Sequence, residues 1–261
     1  MHILRKKSEI RGKLRKIILI GDLMPIHIRA KEGDIAERVL VGGDPARIRA
    51  LSKLLDSAKI VNENRGFLAY TGKFNGKRVT LATHGIGQPS IAIVIEELAQ
   101  LGAKKIVRLG TCGGLRPDIK VGDLVVVSGA TYAHGSTVTQ YAGSDLGNFA
   151  LAQTPDFELT EKLVDALKEK GVKYIITNTF SSDSFYSLKD ETAKALSKFG
   201  NDVVEMEIAT LFMLGKVKAL DTAALLVVSD NVIRHTKLYT HEELEKTVML
   251  AGRVVLEALT R

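Results

Sequence analysis

The chain has 261 residues, 45% of them apolar, five prolines and no apolar run near the ~18 residues of a membrane span. That length suits one large α/β domain or two small ones, and the absence of a Pro/Gly/Ser-rich linker favours one. The net charge of +7 is uneven, because residues 1–23 carry seven Lys and Arg against Glu9 and Asp22.

Residues 1–24 therefore read as a basic arm and 25–261 as the folded domain. The arm is open to two readings, a surface that binds nucleic acid or another acidic partner, or a solvated tail. Its apolar stretch, residues 17–20, is too short for a membrane span and lacks a signal-type cleavage site. Met24 is a candidate alternative start. Cys112, the single cysteine, excludes an intrachain disulfide and fits a reducing compartment, so a cytoplasmic location is expected. The six histidines show no metal-ligand spacing, and neither HExxH nor paired cysteines occur, so no metal site is expected.

In chain order, Arg38 to Val41 is a short apolar strand. Gly42-Gly43-Asp44-Pro45 turns it into a helix, with Asp44 as N-cap and Pro45 in the first turn. Arg47 then sits where free N–H groups favour an anion, unless it is simply a surface Arg on a capped helix. Lys59 to Asn62 reads as a strand, and Phe67 to Phe74 and Lys77 to Thr83 as two more joined by Asn75-Gly76, a hairpin signal. Arg65, just ahead of the hairpin, is expected to be exposed.

His84-Gly85-Ile86-Gly87-Gln88-Pro89-Ser90 follows a strand and opens an apolar helix from Ser90 to Leu101. It approaches a dinucleotide fingerprint, but Lys104 and Lys105 stand where a ribose-binding acid belongs, so NAD is rejected. The glycines are instead expected to let backbone pass close to a ligand or to the next strand.

That strand, Lys104 to Leu109, carries Arg108. A buried guanidinium is costly unless an anion meets it. The Gly110-Thr111-Cys112-Gly113-Gly114 that follows lets backbone N–H groups and a hydroxyl approach a ligand closely. An oxyanion pocket and a plain turn with a partly solvated Arg are both open here. Asp123 to Ala130 is a strand. Pro155-Asp156-Phe157 begins a helix running to Lys170, and Lys173 to Thr179 is another strand. In the polar loop 181–186, Phe185 and Tyr186 either stack on a planar ligand or cap the core, and the core is favoured.

Glu205-Met206-Glu207 places two carboxylates at a strand–helix junction. They need hydroxyl or N–H partners, which sugar hydroxyls or a helix N-terminus would supply. Ala223 to Val228 is a fully apolar strand, expected to be central and to end at Ser229-Asp230-Asn231. Asp230 is a candidate general acid–base group, or a turn-capping Asp. A last helix, Thr240 to about Leu259, opens on a capping box. Strands alternating with helices predict a single α/β domain with a central mixed β-sheet flanked by helices. Ligands collect beyond strand ends in such folds, which would bring these segments to one place.

Taken together, Gly-Asp-Pro-x-Arg (43–47), Asn-Arg-Gly (64–66), His-Gly-Ile-Gly-x-Pro-Ser (84–90), Arg-x-Gly-Thr-x-Gly (108–113), Phe-Ser-Ser-Asp-x-Phe-Tyr (180–186), Val-Glu-Met-Glu (204–207) and Val-Ser-Asp (228–230) resemble the trimeric-to-hexameric class of nucleoside phosphorylases. That class includes purine nucleoside, uridine and archaeal methylthioadenosine phosphorylases, the archaeal type being the most similar. The match runs in order from about Pro25 to the C-terminus.

The resemblance implies phosphate binding by Gly43, Arg47, Arg108 and Thr111, with Arg65 reaching a neighbour's phosphate. It implies ribose binding by Met206 and Glu207, with His27 of a neighbour at the sugar's 5′ end. It places Cys112, Gly113, Phe185, Glu205 and Ser229 around the base and makes Asp230 the proton donor to purine nitrogen 7. Inorganic phosphate would be a co-substrate with no cofactor, and the shared sites imply a homo-oligomer, a hexamer built as three dimers. The products would be free base and ribose 1-phosphate, from ribo- or deoxyribonucleosides.

The pyrimidine branch carries a Gln-x-Arg pair where this chain has Lys189 and Glu191, which argues against uridine. The bacterial purine enzymes place an arginine near Leu244 to assist the aspartate, and Arg234 is the candidate replacement. Methylthioadenosine and uridine phosphorylases are the alternatives within the class. A nucleic-acid-binding protein using the basic arm is the alternative outside it.

Overall fold

A computed structural model describes residues 25–143, 151–240 and 242–261. The proposed arm, residues 1–24, lies outside them. The strands are β1 (Arg38–Gly42), β2 (Asp56–Asn62), β3 (Ala69–Phe74), β4 (Lys77–Thr83), β5 (Lys105–Gly114), β6 (Leu124–Tyr132), β7 (Tyr174–Ser181), β8 (Asn201–Glu205) and β9 (Asp221–Asn231). The helices among the described residues are α1 (Pro45–Ser52), α2 (Gln88–Gln100), α3 (Thr137–Ala142), α4 (Phe157–Glu169), α5 (Asp190–Lys198), α6 (Ile208–Val217) and α7 (Glu245–Thr260).

All nine strands form one mixed sheet in the order β2-β3-β4-β1-β5-β8-β7-β6-β9, and β9 also pairs with β5. The second pairing closes β5-β8-β7-β6-β9 on itself. Parallel pairs β1–β4, β1–β5 and β5–β9 bring the ends of four strands to one side. The hairpin at Asn75-Gly76 forms as read, with φ of 49° and 75° at the two turn positions.

Side-chain alternation sorts the core onto two faces. Val39, Val41, Ile106, Leu226 and Val228 pack with Ile91, Ile95 and Leu98 of α2 and with Leu211 and Phe212 of α6. Leu40, Val107, Leu109, Leu225 and Val227 pack on the other side with Ile48 of α1, Leu163 of α4 and Val255 of α7. Arg108 follows the parity of Ile106, so it sits where the α2/α6 face would otherwise continue.

Two expectations are corrected. Gly110 to Gly114 is not a turn, because β5 runs through it, paired with β9 as far as Asn231 and with β8 at Gly113 and Gly114. Glycine is tolerated inside this strand because a side chain lies across it: a Cβ on Gly110 would overlap the Arg108 guanidinium. Phe185 and Tyr186 do not cap the core; they are 58% and 96% exposed and meet edge-to-face at 5.0 Å. β9 likewise extends past Val228 to include Ser229 and Asp230.

Candidate active site

A cleft of about 590 Å³ opens where β1, β5, β8 and β9 end, roomy enough for a nucleoside-sized ligand. Gly43, Arg47, Arg108 and Thr111 line one end. Met206 and Glu207 line the middle with Glu205. Cys112, Gly113, Phe185, Ser229 and Asp230 line the rest.

At the first end the backbone is packed tightly. An added Cβ on Gly43 would stand 2.9 Å from the carbonyl oxygen of Gly85. Asp44 caps α1 through the Ala46 N–H at 2.8 Å, which orients Arg47 toward the cleft's end of the helix. Arg47 and Arg108 are 8% and 4% exposed. Their charges act on each other, and burial first, then Arg108, pushes the Arg47 guanidinium down. Arg108 is hydrogen-bonded through Nη2 to Glu207 Oε2, and its Nη1 lies 3.8 Å from Glu205 Oε2. Arg47 Nε, Arg108 Nε and Arg108 Nη1 have no hydrogen-bond partner. Three guanidinium nitrogens in the cleft wall are thus left able to donate to an anion.

Glu205 and Glu207 divide their work. Ser181 Oγ donates to Glu205 Oε1 at 2.5 Å, and the N–H groups of Glu207 and Ile208 donate to its Oε2 at 2.7 and 2.9 Å. Glu205 thus lines the cleft while anchoring the start of α6. Burial pushes its carboxyl up, and the Arg108 charge opposes that. Glu207 accepts from the Gly87 N–H at 2.7 Å as well as from Arg108. The glycine-rich loop ahead of α2 therefore contributes backbone both to the cleft wall, through Gly85, and to Glu207.

At the far end, the β5–β9 register slips between Cys112 and Gly113, so that Asp230 stands opposite Gly113. Such a bulge re-aims the side chains that follow. Ser229 Oγ donates to Asp230 Oδ1 at 2.8 Å, but burial is the larger influence and pushes the Asp230 carboxyl up. Val232, Leu238, Tyr239 and Leu244 line the same cleft. Arg234 does not replace the missing arginine. It is exposed, lies outside the cleft lining, and its charge acts on Asp118.

His27 and Arg65 lie outside this cleft. Asn64 Nδ2 donates to the carbonyls of Ile26 and His27 at 3.1 and 3.0 Å, which ties the two residues into one unit. Arg65 holds φ 55°, ψ 20°, a left-handed conformation uncommon for a non-glycine residue.

Sequence reading missed Gln88 and His84. Gln88 is fully buried, receives Thr210 Oγ1 at 2.9 Å and donates to Asp183 at 2.8 Å, coupling α2 and α6 to the loop that carries Phe185. His84 is fully buried, and burial together with the Arg108 charge keeps it neutral. Both stand inside the quoted 84–90 motif, so their positions were visible even though their duties were not.

One cleft thus gathers two buried guanidiniums, a pair of carboxylates and a partly buried acid. The family model that matches residues 37–261 is that of the phosphorylase superfamily, and the chain belongs to it. Among its relatives, the DeoD-type purine nucleoside phosphorylase of Caldanaerobacter subterraneus subsp. tengcongensis is 39% identical, over 90% of this chain and 99% of that protein. The DeoD-type enzyme of Clostridium perfringens (strain SM101) is 37% identical, over 90% and 98%. Two solved structures share the fold. Purine nucleoside phosphorylase of Toxoplasma gondii, in complex with immucillin-H, has a TM-score of 0.80 at 25% identity, covering 90% of this chain and 95% of that one. Uridine phosphorylase of Vibrio fischeri ES114 has 0.79 at 28%, covering 91% and 97%. Among the described residues no helix is long and apolar enough to cross a membrane.

Proposed function

We propose that the chain is a purine nucleoside phosphorylase, a pentosyltransferase that cleaves the N-glycosidic bond with inorganic phosphate. The observation that carries this reading is the pair Arg47 and Arg108, both buried in the wall of one cleft with guanidinium nitrogens unanswered. A nucleosidase using water has no need of that pair. Phosphate bridges the guanidiniums, Thr111 and the Gly43 backbone, beneath the anomeric carbon. Glu207 accepts from the ribose hydroxyls while Arg108 and the Gly87 N–H hold it in place.

The glycosidic bond lengthens first and leaves an oxocarbenium-like sugar, which the phosphate stabilises and then attacks. Asp230, whose carboxyl burial pushes up, is the group that passes a proton to purine nitrogen 7 as the base departs. A 6-oxopurine fits this acid. Lys189 and Glu191, at the positions a uracil reader would use, are exposed and outside the cleft lining, which speaks against uridine. No cofactor beyond phosphate is needed.

The active unit is a homo-oligomer in which His27 and Arg65 complete a neighbour's site, at the sugar 5′ end and the phosphate respectively. Three such dimers make the hexamer. A single buried free thiol, Cys112, fits a cytoplasmic enzyme.

The test is a panel of inosine, guanosine, adenosine, methylthioadenosine and uridine, each with and without phosphate. Purine nucleosides are expected to turn over only with phosphate and to yield ribose 1-phosphate. Equal cleavage of inosine in phosphate-free buffer overturns phosphorolysis, and a preference for uridine overturns the purine assignment.

A further inference from the structure

α2 is an apolar helix with one acid, Glu97, on its buried face, 7% exposed. An acid there must be answered. It is answered entirely by residues about 70 positions earlier. The Ile28 N–H donates to Glu97 Oε2 at 2.6 Å, the His27 N–H reaches both oxygens at 3.0 and 3.2 Å, and the Ile26 N–H reaches Oε1 at 3.2 Å. His27 Nδ1 lies 2.6 Å from Glu97 Oε1. One carboxylate therefore holds three consecutive backbone amides and the imidazole of the residue between them. Asn62 and Asn64 fix the same segment from the other side, through the Arg29 N–H at 2.9 Å and the His27 carbonyl at 3.0 Å. Phe67 meets the His27 ring edge-to-face at 6.3 Å.

Burial works to raise the Glu97 carboxyl, but the hydrogen bonds from Ile28, His27 and Ile26 outweigh it and hold it ionised. An ionised carboxylate only accepts, so the Nδ1 it contacts carries a hydrogen. In the neutral ring, Nε2 is then left with a lone pair. Among the described residues the hydrogen bond of the His27 ring is made through Nδ1, and the ring is partly exposed.

We propose that Glu97 is the positioning residue of the sugar 5′ subsite: it fixes where His27 stands and which ring nitrogen His27 presents, and so sets a preference for nucleosides whose 5′ group can donate a hydrogen bond. This rests on the reading that His27 serves a neighbour's sugar. A 5′-hydroxyl donates to the Nε2 lone pair. A 5′-deoxy or 5′-methylthio group donates nothing and leaves it unpaired. The Glu97 side chain touches no substrate itself; it acts through His27.

Glu97→Gln tests this in the full-length chain. With its amide oxygen at the Oε2 position, the variant side chain still accepts from the His27 and Ile28 N–H groups, while its amide nitrogen replaces the acceptor for Ile26, meets Nδ1 and favours the opposite tautomer. The kcat/KM ratio of 5′-amino-5′-deoxyinosine, a donor only at its 5′ end, to 5′-deoxyinosine is expected to fall about 10- to 100-fold, the worth of one hydrogen bond from a charged donor, with the KM for phosphate unchanged. His27→Ala should lower the same ratio, and Glu97→Gln should add nothing in that background. If His27→Ala lowers the ratio and Glu97→Gln does not, the positioning role is overturned while the reading of His27 stands. If His27→Ala leaves the ratio unchanged, the reading of the 5′ subsite falls, and this inference with it.

Should Glu97→Gln fail to assemble, the unaltered enzyme still decides. 5′-Amino-5′-deoxyinosine, whose ammonium only donates, is expected to compete with inosine more tightly than 5′-deoxyinosine does. Weaker competition than 5′-deoxyinosine means that Nε2 presents a hydrogen, and the proposal is wrong.

Discussion

Asp230 shows at the scale of one residue how a site can oppose stability. Its carboxyl is pushed up by burial, and only Ser229 Oγ lowers it. A carboxyl whose folded pKa lies above its unfolded one contributes stability at low pH, and that contribution is lost as pH rises through the folded value. Asp230→Asn keeps the shape and removes the titration. Turnover of 6-oxopurine nucleosides should fall by ~10²–10⁴-fold, since the proton for the leaving base is gone, while phosphate affinity stays close to normal. The thermal midpoint of the variant should move upward relative to the unaltered enzyme as pH is raised from about 4 to 7. Steady-state kinetics and melting curves across pH check both halves. Unchanged turnover removes Asp230 from the chemistry, and a midpoint difference that is flat with pH means that its carboxyl is not raised.

The unit that matters among the elements is the junction of β5, β8 and α6. Arg108 leaves β5 on the face that α2 and α6 cover and meets Glu207 at the start of α6, while Glu205 secures that start through two backbone amides. Removing the cation from such a cluster leaves buried carboxylates uncompensated, which typically costs ~3–5 kcal/mol. Arg108→Ala should therefore lower the thermal midpoint as well as weaken phosphate binding. Adding Glu207→Gln should restore most of the midpoint, because Glu205 keeps Ser181 and two N–H donors of its own, yet should not restore phosphate binding. A double variant no more stable than Arg108→Ala shows that the ion pair is not what the junction depends on.

This junction also marks how far the sequence could be read. The strand at Arg108, the Asp44 cap and the carboxylates at 205 and 207 were legible, because each rests on local pattern. The run of glycines after Arg108 was read as a break in the strand. It is not, because a guanidinium lies over Gly110 and two neighbours pair with the strand, and local sequence records neither. The exposure of Phe185 and Tyr186 was missed for a related reason: an aromatic beside a cleft has the same composition as one in a core. The closure of β9 onto β5 and the Glu97–His27 pairing depend on residues roughly 70 to 120 positions apart. No periodicity encodes such pairings.

At the scale of the whole molecule, the proposed homo-oligomer divides the site between two chains. His27 is tethered by Asn64, the neighbour of Arg65, and both lie outside the lining of their own cleft, while Arg47, Arg108 and Asp230 line it. In a two-fold dimer each chain would lend Arg65 to the other. This arrangement predicts complementation between two impaired enzymes. Arg65→Ala homo-oligomers should bind phosphate weakly although fully assembled, and Asp230→Asn homo-oligomers should be slow on inosine. When the two are dissociated, mixed in equal amounts and reassembled, half of the dimers are hybrids. Each hybrid contains one site with both defects and one site with Asp230 from one chain and Arg65 from the other, both intact. About a quarter of all sites should then work normally, so activity at low phosphate should rise to about a quarter of that of the unaltered enzyme. If Arg65 instead served its own cleft, every site in the hybrid would keep exactly one defect and mixing would add nothing. An assay of mixed and unmixed samples at equal total protein separates the two outcomes.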